Sequence, residues 1–145
     1  MAGLDLQAIR EGLAATVREC VRPEINVLPY IDDKATGVRV TVLPDPTNFV
    51  EFETTFGATG AADLLMSLYC QCPIGPIDAQ IMLDELLGEG VYSLYTAITA
   101  DRTLGGTVAD CRVSVGSGYA LVERPDGVVF VSARVSLSIL LAKEV

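Results

Sequence analysis

From Val129 to Ile139 the chain alternates without a break. Val129, Val131, Ala133, Val135, Leu137 and Ile139 share one parity, and Phe130, Ser132, Arg134, Ser136 and Ser138 share the other. Successive side chains on a strand point to opposite faces, so this run predicts a long β-strand with one face on a core. It is long enough to run past a small core. The segment in front supplies a partner: Arg124-Pro125-Asp126-Gly127 reads as a hairpin turn, because Pro suits the second position and Gly accepts positive φ. Val108 to Glu123 is the other arm, with a bulge or bend expected at Gly116-Ser117-Gly118.

The segments before this hairpin give it a sheet to join and helices to cover it. Leu6, Ile9, Leu13, Val17 and Cys20 recur at three- and four-residue spacing, which predicts an amphipathic helix over 5–22 with Asp5 as N-cap and Pro23 as stop. Arg10, Glu11, Arg18, Glu19 and Arg22 fall mostly off that stripe and read as a solvated face. Ile25 to Tyr30, interrupted by Pro29, is an edge strand at best. Val38 to Leu43 alternates strictly, and Phe49 to Glu53 alternates again after the Pro44-Asp45-Pro46 turn. Asp63 to Cys72 is apolar and reads as a central strand, although Leu64 to Leu68 could pass for helix by composition. Asp78 at or near an N-cap and Gly88 at the stop bound a second helix; Tyr92 to Ala100 is a third, closed by a turn over 101–106. The sum is one α+β domain over residues 1–145. Its sheet is largely antiparallel or mixed, with an N-terminal helix and a central helix pair packed on one face.

Composition narrows what such a domain does. Ten basic residues stand against nineteen acidic, a formal net charge of −9, so groove binding to a phosphate backbone is disfavoured. Half of the residues are apolar, enough to build a core without disulfides. The N-terminus lacks the pattern of a signal peptide and no run is apolar enough to span a membrane, so a cytosol-like compartment with reduced thiols is expected. The chain has no histidine, which removes the commonest general base and metal ligand.

The candidate chemical motifs are weak. Cys70-Gln71-Cys72 puts two thiols on one strand face, but only one close pair exists where structural zinc uses two, and buried reduced thiols are the plainer reading. Gly57/Gly60 and Gly105-Gly106 match no phosphate loop and read as turn glycines. Asp32-Asp33, Asp84-Glu85 and Asp101/Asp110 are carboxylate groupings whose default is surface solvation. Two residues stand out as contacts. Arg102, between Asp101 and Thr103, caps the preceding helix or pairs with Asp110 within the subunit, or else reaches an acidic surface on a neighbour. Phe56, on a Gly-rich loop, is an interface anchor or folds back on the sheet. No catalytic, cofactor-binding or metal-binding residue is expected.

One stretch carries a family likeness: Ser93-x-x-x-Ala97-Ile98-x-Ala100-Asp101-Arg102-Thr103-Leu104-Gly105-Gly106-Thr107-Val108-x-Asp110-Cys111-Arg112-Val113. It resembles the tail terminator proteins of long-tailed (siphovirus-type) bacteriophages infecting actinobacteria. The start Leu4-Asp5-Leu6-x-x-Ile9-Arg10-x-x-Leu13-Ala14, Pro44-x-Pro46 with Phe49-Val50-Glu51-Phe52 and Thr55-Phe56-Gly57, and Asp78-Ala79-Gln80-x-x-Leu83-Asp84 follow the same pattern in the same order. The resemblance implies a virion protein, assembled in the host cytoplasm, that forms a six-fold ring at the head-proximal end of the tail tube. Such a ring stops tube polymerisation and meets the head-completion or connector proteins. The implied partners are further copies of the chain, the tail tube protein and those connectors, with DNA passing through an acidic lumen without specific binding. A head-closure or head-tail connector protein is the nearest alternative. A cytoplasmic carboxylate-based enzyme or small-ligand-binding domain is the alternative from another class.

Overall fold

The structure, a computed structural model, describes residues 5–31, 37–46, 48–52, 61–75 and 77–141. Among these the elements run α1 (Leu6–Arg18), β1 (Asn26–Leu28), β2 (Arg39–Pro44), β3 (Val50–Phe52), β4 (Ala61–Pro73), α2 (Ile77–Leu87), α3 (Leu94–Ala100), β5 (Asp110–Glu123) and β6 (Val129–Leu140). The fold is α+β. The strands form one mixed sheet in the order β1-β2-β4-β6-β5, with β3 also paired to β4.

β4 is the spine of this sheet. One of its edges pairs with β6 from Asp63↔Leu140 to Pro73↔Phe130. Its other edge is shared end to end: β3 takes the first residues (Val50↔Leu64) and β2 the later ones (Pro44↔Met66 to Arg39↔Gln71). Pro44-Asp45-Pro46 is where the chain leaves one pairing for the other, since proline cannot donate to a ladder. β1 pairs parallel to β2 and makes the sheet mixed.

The alternation in β6 decides the layers. Val131, Ala133, Val135, Leu137 and Ile139 are buried on one face, in line with Leu64, Met66, Leu68, Cys70 and Cys72 of β4 and Val40 and Val42 of β2. α1 adds Ile9, Leu13, Ala14 and Val17 to this core, α2 adds Leu83 and Leu86, and α3 adds Leu94 and Ile98. Burying each large aliphatic side chain contributes on the order of 1.5–3 kcal/mol, which outweighs the short helices' modest intrinsic propensity.

The second face of β6 differs from a simple solvated one. Phe130 and Ser132 are buried, and Arg134, Ser136 and Ser138 are half-buried. They sit among Thr41, Ser67, Tyr69 and Gln71 of the neighbouring strands, so this face is a polar layer and the sheet is covered more evenly than alternation alone implies.

Helix ends shift from the expected positions. Asp5 is the N-cap of α1, its carboxylate accepting from the Ala8 N–H at 3.1 Å. α1 stops at Arg18 rather than at Pro23, because the last turn tightens: the Cys20 N–H and Val21 N–H both bond to the Val17 carbonyl. Asp78 lies in the first turn of α2, near its N-cap as expected. α3 begins at Leu94, two residues later than expected, because Ser93 caps it: its Oγ accepts from the Thr96 N–H at 3.1 Å and donates to the Gly90 carbonyl at 2.8 Å.

The β5–β6 hairpin matches its sequence signal. The Gly127 N–H bonds to the Arg124 carbonyl at 2.9 Å, the Arg124 N–H to the Val128 carbonyl at 2.8 Å, and Gly127 has φ +87°. This is a type I turn closed by a left-handed glycine. β5 carries two register shifts, between Val113 and Val115 and between Ser117 and Ala120, where one bend was expected.

Candidate assembly surfaces

The corner after α3 is built by its own short side chains. Asp101 accepts from the Gly105 N–H (2.9 Å) and the Thr103 hydroxyl (3.2 Å), which closes the turn. Leu104, Gly105 and Gly106 then all take positive φ. Leu104 tolerates φ +52° because its side chain is buried, under the closest approach of α1. A Cβ at Gly12 of α1 would meet Thr107 Oγ1 at 3.3 Å and the Leu104 carbonyl oxygen at 3.4 Å. The expected turn glycines 105 and 106 are thus turn glycines.

Arg102 emerges from this corner and folds back onto β5. Its Nε and Nη2 donate to the two Asp110 oxygens at 2.8 and 2.7 Å, a two-pronged pair. The hydrogen bond from Arg102 holds the Asp110 carboxyl below its ordinary range. Of the roles open to Arg102, the structure displays the pairing within the subunit. Asp101, Arg102 and Asp110 therefore stand together as one corner, while Phe56 lies outside the described residues, as do Asp32-Asp33 and Gly57/Gly60.

The charged residues of the 5–22 segment correct a sequence expectation. Three arginines read as a solvated face are ties. Arg10 donates to the Pro29 and Val42 carbonyls, Arg18 donates to the Val27 carbonyl at 2.7 Å, and Arg22 grips both oxygens of Glu85. Arg10 and Arg18 satisfy backbone acceptors at the β1–β2 edge, and Arg22, in the turn after α1, ties that turn to α2. Arg22 also stacks on the Tyr92 ring at 4.3 Å. Glu11 and Glu19 are exposed, as expected.

Asp84 and Glu85 point apart, each to its own neighbour. Glu85 takes Arg22, whose hydrogen bond lowers its pKa. Asp84 accepts from the Tyr119 hydroxyl at 2.7 Å, and this bond raises the tyrosine's pKa. The bulged part of β5 is thereby moored to α2. A groove of about 330 Å³ runs beneath it, where Gly116 and Gly118 supply no side chain. Nothing in the sequence pairs residues 84 and 119; the bulge that turns Tyr119 toward the helices appears only with the register.

The cysteines are buried free thiols apart from half-buried Cys20. Burial pushes Cys70 and Cys111 up to about 12, which makes both poor nucleophiles at neutral pH. Among the described residues, no three His, Cys, Asp or Glu side chains are placed to hold a metal ion, and no helix is long and apolar enough to cross a membrane.

What the described surface does offer is exposed apolar side chains in clusters. The hairpin carries Val115, Tyr119, Leu121 and Val128, each at least half exposed, and most of β5 is open to solvent. The outer side of α2 carries Ile77 and Ile81 at 72% and 60% exposure, with Ile74 just before it. Clusters of this kind suit contact with another macromolecule better than small-molecule chemistry. A scan against protein-family models finds no match for the chain, and a search of curated proteins finds none.

Proposed function

We propose that this chain is a structural protein of a long-tailed bacteriophage, the tail terminator, which closes the head-proximal end of the tail tube as a ring. The family-like segments, in order along nearly the whole chain, suggest the role. The observation that carries an assembly role over a catalytic one is the β5–β6 hairpin. β6 is paired to β4 along its length, so β5 is the open edge strand of the sheet; Val115 and Leu121 on it and Val128 after its turn are at least half exposed, and it is anchored at its base by the Arg102–Asp110 pair and at its middle by Tyr119–Asp84. An apolar edge strand of that kind is a liability when exposed and useful once a neighbour covers it.

Ring closure needs head-to-tail contacts between different patches of identical copies. The β5 edge and the α2 surface are two such patches. The net charge of −9 suits a lumen through which DNA slides without adhering. The virion is the proposed location, with assembly in the host cytoplasm. Binding discriminates this role from its nearest relative. Purified chain added to isolated tail tubes and to portal-bearing heads should bind tube ends; binding to heads alone would instead make it a head-closure or connector protein.

A further inference from the structure

The first register shift in β5 builds a surface that plain alternation would not. Arg112 pairs across to Ser138, and after the shift Val115 rather than Ser114 pairs across to Ser136. Both serines lie on the sheet face opposite the helices, so Arg112 and Val115 share that face. Leu65 of β4 flanks Ser138 from its other side, and Leu140 stands one row along on β6. Leu65, Leu140, Val115 and Arg112 are all exposed, with half-buried Ser138 among them. Asp63 and the paired Asp110 flank Leu140 at the border of this patch. The Arg112 guanidinium makes no hydrogen bond or ion pair among the described residues. The Asp110 carboxyl is held low first by the hydrogen bond from Arg102, and the Arg112 charge adds to this through space. Arg10, Arg18, Arg22, Arg102 and Arg124, in contrast, are each held by acceptors of their own chain. An exposed guanidinium among apolar side chains suits a carboxylate carried on an apolar support.

Such a support exists elsewhere on the same chain. α2 carries Asp78, Asp84 and Glu85 and no basic residue. Asp84 and Glu85 are engaged with Tyr119 and Arg22, whereas exposed Asp78 makes no ion pair among the described residues. Asp78 is flanked by exposed Ile77 and, one turn on, by exposed Ile81. α2 packs on the core side of the sheet and follows the end of β4 remote from Leu65. The Arg112 patch and the α2 stripe thus lie on opposite faces of the fold, so they meet only between copies.

We infer that the Leu65–Arg112–Val115–Leu140 patch receives the Ile77–Asp78–Ile81 stripe of α2 from a second copy of the chain, with Arg112 facing Asp78. Two different patches of identical copies make this a head-to-tail contact. It rests on the ring reading above for closure, and on the two patches for the contact itself. One helix stripe on one patch buries less than the 1,200–2,000 Å² or so of a stable interface, so assembly is concentration-dependent and strengthened by closure.

The test is a charge swap read by sedimentation velocity over rising concentration. Arg112→Glu and Asp78→Lys alone should each weaken self-association about tenfold, and the double variant should recover most of it, because the pair is restored in reverse. Asp78→Lys is the sharper arm. It makes a chain of net charge −9 less negative, so relief of general self-repulsion would strengthen association, where the contact predicts weakening. Ile81→Asp should weaken association as well. Asp63→Asn, which removes a carboxylate bordering the patch, should not. All should keep the parent far-UV circular dichroism; should a reversal disturb it, Arg112→Gln and Asp78→Asn read the same contact, each weakening it about threefold. The inference is overturned by a chain still monomeric at roughly 1 mM, which puts the dissociation constant above that value. It is equally overturned if Asp78→Lys leaves association unchanged or strengthens it, or if the double variant associates no better than the weaker single. Weakening by Asp63→Asn would overturn it too, since the patch would then be holding a cation. Self-association through this pair by a chain that ignores tail tubes would refute the tail reading and leave the contact standing. Tube capping unaffected by either reversal would do the opposite.

Discussion

Gly12→Ala tests how tightly α1 is seated on the corner that presents Arg102. In a free helix the change would stabilise by about 0.8–1 kcal/mol, since glycine is that much worse than alanine in a helix interior. Here the new methyl lands 3.3 Å from Thr107 Oγ1. That hydroxyl is held by its own 2.9 Å hydrogen bond to the Leu104 carbonyl, so moving it aside sacrifices about 1 kcal/mol. The two effects offset, and the net change should fall within about 0.5 kcal/mol of zero. In a Thr107→Ala background the nearest obstacle is gone, the Leu104 carbonyl oxygen remains at 3.4 Å as an ordinary contact, and the same substitution should stabilise by about 1 kcal/mol. Urea unfolding of the four proteins reads this directly: with a slope near 2 kcal/mol/M, 1 kcal/mol is about 0.5 M in the midpoint. Gly12→Ala stabilising by the full propensity difference in both backgrounds would refute the close seating of α1 on residues 104–107.

Leu68, fully buried on the central strand, should cost about 2–5 kcal/mol when changed to Ala, measured by the same urea curves. The Asp110 carboxyl is held low by Arg102, so its pairing adds stability above the ordinary carboxylate range and loses it as pH falls through the depressed value. Arg102→Ala should move the Asp110 titration upward by NMR with little change in stability, since both side chains are open to solvent. Of the four thiols, Cys20 should react first with a thiol reagent in the native protein, while Cys70, Cys72 and Cys111 should wait for unfolding.

β2 and β6 were legible from their period-two alternation and β4 from its apolar, β-tending composition, and Arg124-Pro125-Asp126-Gly127 turns as its residues dictate. Helix ends were less legible. Ser93, followed three residues later by Thr96, is a cap signal that overrides the apolar Tyr92 before it. The contacts that shape the surface were hidden. Arg10 and Arg18 read as solvated because a sequence does not reveal which distant carbonyls need a donor. The Tyr119–Asp84 contact joins residues 35 positions apart and depends on the register shifts of β5. Among the candidate residues, the Arg102–Asp110 pair was within reach because only eight positions separate them across one turn.

The most direct test of the central claim is tube length. Tails should be assembled with and without this chain and their tubes measured by electron microscopy. The account predicts uniform tubes, each ending in a ring of this protein, when it is present, and overlong, unterminated tubes when it is absent. Tubes of normal length in its absence would contradict it.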